Sequence, residues 1–282
     1  MPSTGPASDY PTSALVTRLL DDAGVLLITF NRPERNNAWT LELEEAYFGS
    51  LITAANDPAV RAIVVTGAGK SFCPGLDMEI LSDSAAGRPS QLTVRRWPMT
   101  TARLIPKPII AAVNGAAAGI GFIQMASCDL RFASSSARLT TSFARRGLPA
   151  ENSLSWILPR LVGTGAAMDL LLSARVIDAT EALALGLVNR VCEPERLVDE
   201  AVAYARDLSQ FCSPHAMASI KGQINADWER GAEEARLRSL VLMSEHGSSA
   251  DFAEGVNSYT QRRPPAFAGL DARLQIHRSI NR

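Results

Sequence analysis

Only four of the 282 residues are cysteine, and no two of them form a C-x-x-C pair. Cys73, Cys128, Cys192 and Cys212 therefore read as buried thiols of a reducing compartment, not as a disulfide framework or a zinc site. Histidine is scarcer still. His215, His246 and His277 all fall in the last third of the chain, so no His/Cys/carboxylate cluster has metal-ligand spacing and no metal is expected. Net charge is nearly absent at −1, which argues against the clustered excess of Lys and Arg that nucleic-acid binding requires. Long apolar runs are also missing; stretches such as residues 108–113 are far too short to span a bilayer. Residues 1–13 are rich in Pro, Ser and Thr but have no basic or apolar region of the signal-peptide kind. They read as a disordered tail. No short internal period stands out, which argues against a solenoid. The expectation is a cytoplasmic protein.

What is present suffices for a sizeable core: 46% of residues are hydrophobic and 20% charged, the balance of an ordinary globular chain. Residues 14–20 and 24–31 are β-rich runs on either side of Asp21-Asp22-Ala23, which predicts a hairpin. In residues 40–55, Leu41, Leu43, Ala46, Tyr47 and Leu51 recur at helical spacing behind Thr40, a good N-cap. Residues 61–66, 108–113 and 128–133 read as buried strands. Strands alternating with helices indicate an α/β core. Beyond residue 197 the pattern changes to helical segments at 197–210, 213–228 and 231–246, followed by a polar, Pro-containing tail. The expected organisation is a tail (1–13), a core (14–200) and a helical C-terminal module (201–282).

Two stretches share one layout of buried strand, tight glycine turn and helix. The first is Thr66-Gly-Ala-Gly-Lys-Ser-Phe-Cys-Pro-Gly-Leu-Asp77 and the second Asn114-Gly-Ala-Ala-Ala-Gly-Ile-Gly-Phe122. Neither is a nucleotide motif. The third glycine of a dinucleotide fingerprint would fall on Gln124, and the first glycine of a P-loop ending at Gly69-Lys70-Ser71 would fall on Val64. Singly, such turns are ordinarily structural. As a pair facing one cleft, two helix starts place two unpaired N–H groups and two positive dipole ends on one oxygen.

Together with Asn31-Arg-Pro-Glu-Arg-Asn-Asn-Ala38, Lys107-Pro-Ile-Ile-Ala-Ala-Val-Asn-Gly115 and Glu254-Gly-Val-Asn-Ser-Tyr-Thr-Gln-Arg-Arg-Pro-Pro-Ala-Phe267, these segments resemble the crotonase (enoyl-CoA hydratase/isomerase) superfamily over roughly residues 14–268. The resemblance implies a crotonase-like spiral of ββα units with a helical C-terminal trimerisation module. It also implies acyl-CoA substrates, a homotrimer or dimer of trimers, and no cofactor beyond the coenzyme A of the substrate. By position, the backbone N–H groups of Leu76 and Ile120 would hold the thioester oxygen. Pro74, Gly75 and Gly119 frame those donors, and the Pro74 carbonyl suits the loop used for adenine.

The two glutamates of the hydratases in this family align with Ile123 and Phe143, both apolar. The usual pair of acids for adding water is therefore missing. Glu151 remains, at a position where several isomerases carry an Asp. With Phe143 and Ile123 as apolar walls it would move a proton between carbons; the bland alternative is an exposed residue capping a helix that starts near Asn152. Arg35, Tyr259 and Arg262 are the expected coenzyme A contacts, the last two sometimes reaching a neighbouring subunit in relatives, and Trp97 and Met99 lie in the stretch that lines the acyl pocket. Asp77 reads as an N-cap, Asp129 as a turn-holding residue, and Arg145 and Arg146 as solvated or inter-subunit charges. Isomerisation is the first reading. Hydration through Glu151 alone, C–C cleavage or thioester hydrolysis, and a non-catalytic acyl-CoA binder stay open.

Overall fold

A computed structural model describes residues 13–87 and 96–270; most of the expected tail, and His277, lie outside them. Strands β1 (Val16–Leu20) and β2 (Val25–Phe30) pair antiparallel. Asp21 closes this hairpin by accepting the Ala23 and Val25 N–H groups at 3.0 and 2.9 Å, the local bonding that makes Asp a turn residue. Helix α1 (Leu41–Asn56) starts at Thr40, whose hydroxyl accepts from the Leu43 N–H at 3.2 Å.

From here the chain repeats one unit three times: a strand in a large sheet, a short strand in a small sheet, then a helix. The units are β3 (Ala62–Gly67), β4 (Ser71–Cys73) and α2 (Met78–Ala85); β5 (Ile109–Val113), β6 (Ala116–Ala118) and α3 (Ile120–Ser127); β7 (Leu130–Ser134), β8 (Arg138–Thr140) and α4 (Leu154–Ser173). After α4 come β9 (Ile177–Asp178), α5 (Ala179–Ala184), β10 (Arg190–Cys192) and α6 (Leu197–Phe211). The large sheet has the order β1-β2-β3-β5-β7-β10 and the small one β4-β6-β8-β9. Every residue of β3 and β5 is buried, which is why both read as continuous apolar runs.

The three-residue strands are the main departure from the sequence reading. Each glycine turn leads first into a strand, and only then into a helix. Three residues are too few for an alternation signal, so only the pairing of β4 with β6, of β6 with β8 and of β8 with β9 defines them.

One side of the large sheet packs in the main core with Phe30, Trp39, Tyr47, Phe48 and Phe72. The other side is covered by α6, where Leu197, Ala201 and Ala205 meet Val25, Val64, Ile110 and Phe132. The boundary expected at residue 200 thus falls inside a helix that packs on the sheet. Helices α7 (Pro214–Asp227), α8 (Ala232–Gly247) and α9 (Ala250–Gln261) form the C-terminal end. The last lies where a non-helical tail was expected, begun by Ser249, which accepts from the Phe252 N–H at 3.1 Å. These three helices bury only Pro214 and Ser258.

Candidate active site

The ends of β4 and β6 lie side by side, and each feeds a helix start. Gly75 has φ +112°, and a Cβ there would sit 3.1 Å from the Ala118 carbonyl oxygen. Only glycine permits both that backbone and that approach. The segment is pinned from the other side by Trp39, whose N–H donates to the Gly75 carbonyl at 2.8 Å and whose carbonyl accepts from the Asp77 N–H at 3.0 Å. Ile120 opens α3 behind Gly119, so its N–H is one of the donors a helix start leaves over. Among the described residues, neither the Leu76 nor the Ile120 N–H donates to a protein acceptor. Both line one cleft of about 1040 Å³. Two such donors beside a helix start can stabilise negative charge on one oxygen.

Among the described residues, three acids line this cleft: Glu34, Asp77 and Glu151. Glu34 is exposed on the short 3-10 turn Pro33–Arg35. Asp77 is buried; its carboxylate accepts from the Glu79 N–H at 3.1 Å and pairs with Arg32 at 2.6 Å. Burial alone would raise its pKa, but the Arg32 hydrogen bond, the Glu79 N–H and the Arg32 charge outweigh it and hold the group below its ordinary value. Asp77 is therefore a fixed structural anion.

Glu151 is different. It is half-buried in the loop before α4 and shares the cleft wall with Phe143, Leu148, Pro149 and Ala150. Its carbonyl accepts from the Leu154 N–H at 2.9 Å, closing a tight turn whose central residues, Asn152 (φ 50°) and Ser153 (φ 63°), are both left-handed without being glycine. Such strain persists only where the surroundings fix it. The carboxylate meets Asn152 Nδ2 at a long 3.5 Å. It does not cap α4, which begins at Leu154 with no side-chain cap bond.

The other expected site residues divide. Pro74, Gly75, Gly119, Phe143 and Arg35 line the cleft. The exposed Arg35 guanidinium pairs with Glu79 at 2.5 Å, which raises its pKa. Ile123 is fully buried and is not part of the cleft wall; it packs in the main core, on a helix with all eight residues buried. Trp97, Tyr259 and Arg262 do not line the cleft of this chain either. Trp97 packs on the core beneath the Arg96 guanidinium, Met99 is buried, Tyr259 projects from α9 with 86% exposure, and Arg262 is the left-handed cap of that helix. Spacing along the chain cannot reveal that the cleft is built by the loops around the small sheet while α9 belongs to the C-terminal end.

Conversely, Arg146 lines the cleft, whereas Arg145 donates to the Ser173 carbonyl at 2.9 Å. Met78, Leu81 and Ser84 of α2 line it too; their three-residue spacing was the available signal. Asp129 accepts from the Ile109 N–H at 2.8 Å and pairs with Lys221 at 2.7 Å, a structural tie. Burial pushes the Cys73 thiol to about 12, so the cysteine next to the cleft is no nucleophile at neutral pH.

A sequence model described as enoyl-CoA hydratase/isomerase matches residues 21–270. The chain belongs to the enoyl-CoA hydratase/isomerase family. It is 32% identical over 258 residues to a 1,2-epoxyphenylacetyl-CoA isomerase of Escherichia coli K12, covering 88% of this chain and 96% of that one. It is 33% identical over 251 residues to an (E)-benzylidenesuccinyl-CoA hydratase of Thauera aromatica, covering 87% and 96%. The crystal structure of an enoyl-CoA hydratase from Bacillus anthracis superposes with a TM-score of 0.84 at 27% identity, over 91% of this chain and all of that one. One from Mycobacterium marinum is 41% identical, with a TM-score of 0.67, over 77% of this chain and 100% of that one. The family's members process coenzyme A thioesters, and the spiral of ββα units is its fold. Among the described residues, no group of three or more His, Cys, Asp or Glu could hold a metal, and no helix is long and apolar enough to cross a membrane.

Proposed function

We propose that this enzyme moves the double bond of an enoyl-CoA thioester, with Glu151 as the single acid/base. The observation that carries the reading is the contrast among the cleft acids: Asp77 is bound to Arg32, Glu34 stands exposed, and Glu151 alone is half-buried with no cation partner among the described residues. Its carboxylate takes a proton from the α-carbon of a 3-enoyl thioester. The negative charge passes to the thioester oxygen, held by the Leu76 and Ile120 N–H groups. Glu151 then returns the proton to the γ-carbon, giving the 2-enoyl product with no atom gained. Coenzyme A is part of the substrate, and no further cofactor or metal enters. The apolar residues that α7 and α8 leave about half exposed, Ile220, Ile224, Leu237 and Leu240, support assembly into a homotrimer or a dimer of trimers. We place the enzyme in the cytoplasm.

Hydration by Glu151 is the second reading, favoured by the names of several relatives. A panel of 2-enoyl and 3-enoyl thioesters in heavy-oxygen water, followed by mass spectrometry, separates the two. Double-bond migration without a mass gain is expected. A labelled 3-hydroxyacyl product would replace isomerisation with hydration, and tight binding with no turnover would make the chain an acyl-CoA binder. Glu151→Gln should lower kcat by about 10²–10⁴-fold while leaving acyl-CoA affinity nearly unchanged; full activity in that variant sinks the role given to Glu151.

A further inference from the structure

Trp39 lies outside the cleft and is fully buried, yet its backbone grips the oxyanion loop on both sides of Leu76. The two hydrogen bonds, Trp39 N–H to the Gly75 carbonyl and Asp77 N–H to the Trp39 carbonyl, form a bridge in which the Leu76 N–H takes no part. Where that N–H points is therefore set by where the Trp39 backbone stands. The Trp39 ring is held in an edge-to-face box by Phe30, Tyr47 and Phe48, with centroids 5.8, 6.0 and 6.1 Å away. Edge-to-face packing of this kind favours the observed geometry only weakly. A directional tether is supplied by Glu44, whose carboxylate accepts from the indole Nε1–H at 2.9 Å.

Glu44 is itself 1% exposed, and burying a carboxylate is costly unless it is hydrogen-bonded and electrostatically supported. Part of that support comes from its place in the first turn of α1, near the positive end of the helix dipole. A simple core position would be filled more cheaply by Leu or Met. We propose that the Trp39–Glu44 pair is a positioning device that fixes the direction of the Leu76 oxyanion donor. The indole N–H transmits the rigidity of α1, through the Trp39 backbone, to the donor in the cleft. Neither side chain touches the substrate, so both are positioning residues. The inference rests on the oxyanion role given to Leu76.

The test uses the full chain, with hexanoyl-CoA labelled with ¹³C at the thioester carbonyl as the bound probe. Infrared spectra give the carbonyl stretch of the saturated complex, which donors in an oxyanion hole move to lower frequency. Three variants are compared: Trp39→Phe, Glu44→Leu and Glu44→Gln, the last keeping an acceptor for the indole N–H. Each is checked by circular dichroism and thermal melting. Trp39→Phe and Glu44→Leu should lose at least half of the wild-type frequency shift. On the substrate identified by the panel, they should also lower kcat about tenfold with KM changed less than twofold. Glu44→Gln should restore both readouts to within about twofold of wild type. If the wild-type complex has no downshift, the oxyanion reading fails and this inference falls with it. If wild type has the downshift and folded Trp39→Phe and Glu44→Leu keep it in full, only the positioning role is overturned. A Glu44→Gln variant as impaired as Glu44→Leu would equally overturn it, since the hydrogen bond would then not be what matters.

Discussion

Asp77 follows Leu76 directly, so the forces on its side chain bear on the donor beside it. Its carboxylate caps α2 through the Glu79 N–H and neutralises Arg32 at 2.6 Å. Replacing it with Ala removes a cap and leaves a half-buried guanidinium without its anion. The expected loss is about 1–3 kcal/mol in denaturant unfolding. The folded pKa of Asp77 lies below the ordinary 3.8, so its contribution is complete above that value and fades as pH falls through the folded pKa. Asp77→Asn should retain most of the cap yet flatten the acid limb of the stability profile. An unchanged acid limb would mean that Arg32 finds another partner. Glu151, by contrast, is held by backbone. Its orientation depends on the consecutive left-handed residues Asn152 and Ser153, and Ser153→Gly should relieve strain there at little cost to the fold.

At the level of elements, the decisive contact is between α3 and β4. A Cβ on Gly121 would stand 1.9 Å from the Cys73 carbonyl oxygen. Gly→Ala inside a helix is favourable by up to about 1 kcal/mol on propensity alone. Here the clash is with backbone, which cannot swing aside, so packing overrides propensity. Gly121→Ala should destabilise by about 1–3 kcal/mol. Because it pushes the start of α3 away from β4, it should also lower kcat through the Ile120 donor; thermal melts and initial rates read the two effects separately. The end of α9 offers a milder case. Glu254 pairs with Arg263 at 2.6 Å and accepts the Ala266 N–H at 2.7 Å, which lowers its pKa to about 2. The contact is therefore complete above pH 4.5, the ordinary value, and is lost as pH falls through about 2. Amide exchange at Ala266 should accelerate, beyond the intrinsic pH trend, only in that acid window.

For the whole molecule, two of the buried thiols bear on stability at alkaline pH. Burial raises both Cys73 and Cys128 from 9.0 to about 12, with the Asp129 charge adding to the second. The folded chain keeps protons that the unfolded chain releases, so the stability these groups contribute is intact below pH 9 and declines as pH rises through about 12. A Cys73→Ala/Cys128→Ala double variant should lose less stability than wild type between pH 9 and pH 12; an identical slope would show that the thiols do not control it. The exposed apolar residues of α7–α9 lead to a second molecular expectation. Sedimentation velocity should give a trimer or hexamer at micromolar concentration, and charges at Leu237 and Leu240 should shift the equilibrium toward monomer. A wild-type monomer at all concentrations would remove the proposed assembly.

The sequence by itself determined the hairpin, α1 with its Thr40 cap, the buried strands and the paired glycine turns. Each depends on neighbours within a few residues: a capping hydroxyl, an apolar period or a backbone without Cβ. Through the family resemblance it also pointed to Glu151, because the aligned positions Ile123 and Phe143 carry no carboxylate, whereas Glu34 and Asp77 joined the cleft wall only in the fold. Only the tertiary structure decided which wall each side chain forms. Ile123 turns into the core while Phe143 meets the cleft, Arg146 faces the cleft while Arg145 is held at Ser173, and Tyr259 projects from the far helical end. The short strands β4, β6 and β8 exist only through their pairing in the small sheet, since three residues have no pattern of their own and gain order from hydrogen bonds to segments about twenty to forty-five residues away. That long-range pairing brings the Leu76 and Ile120 N–H groups to one cleft.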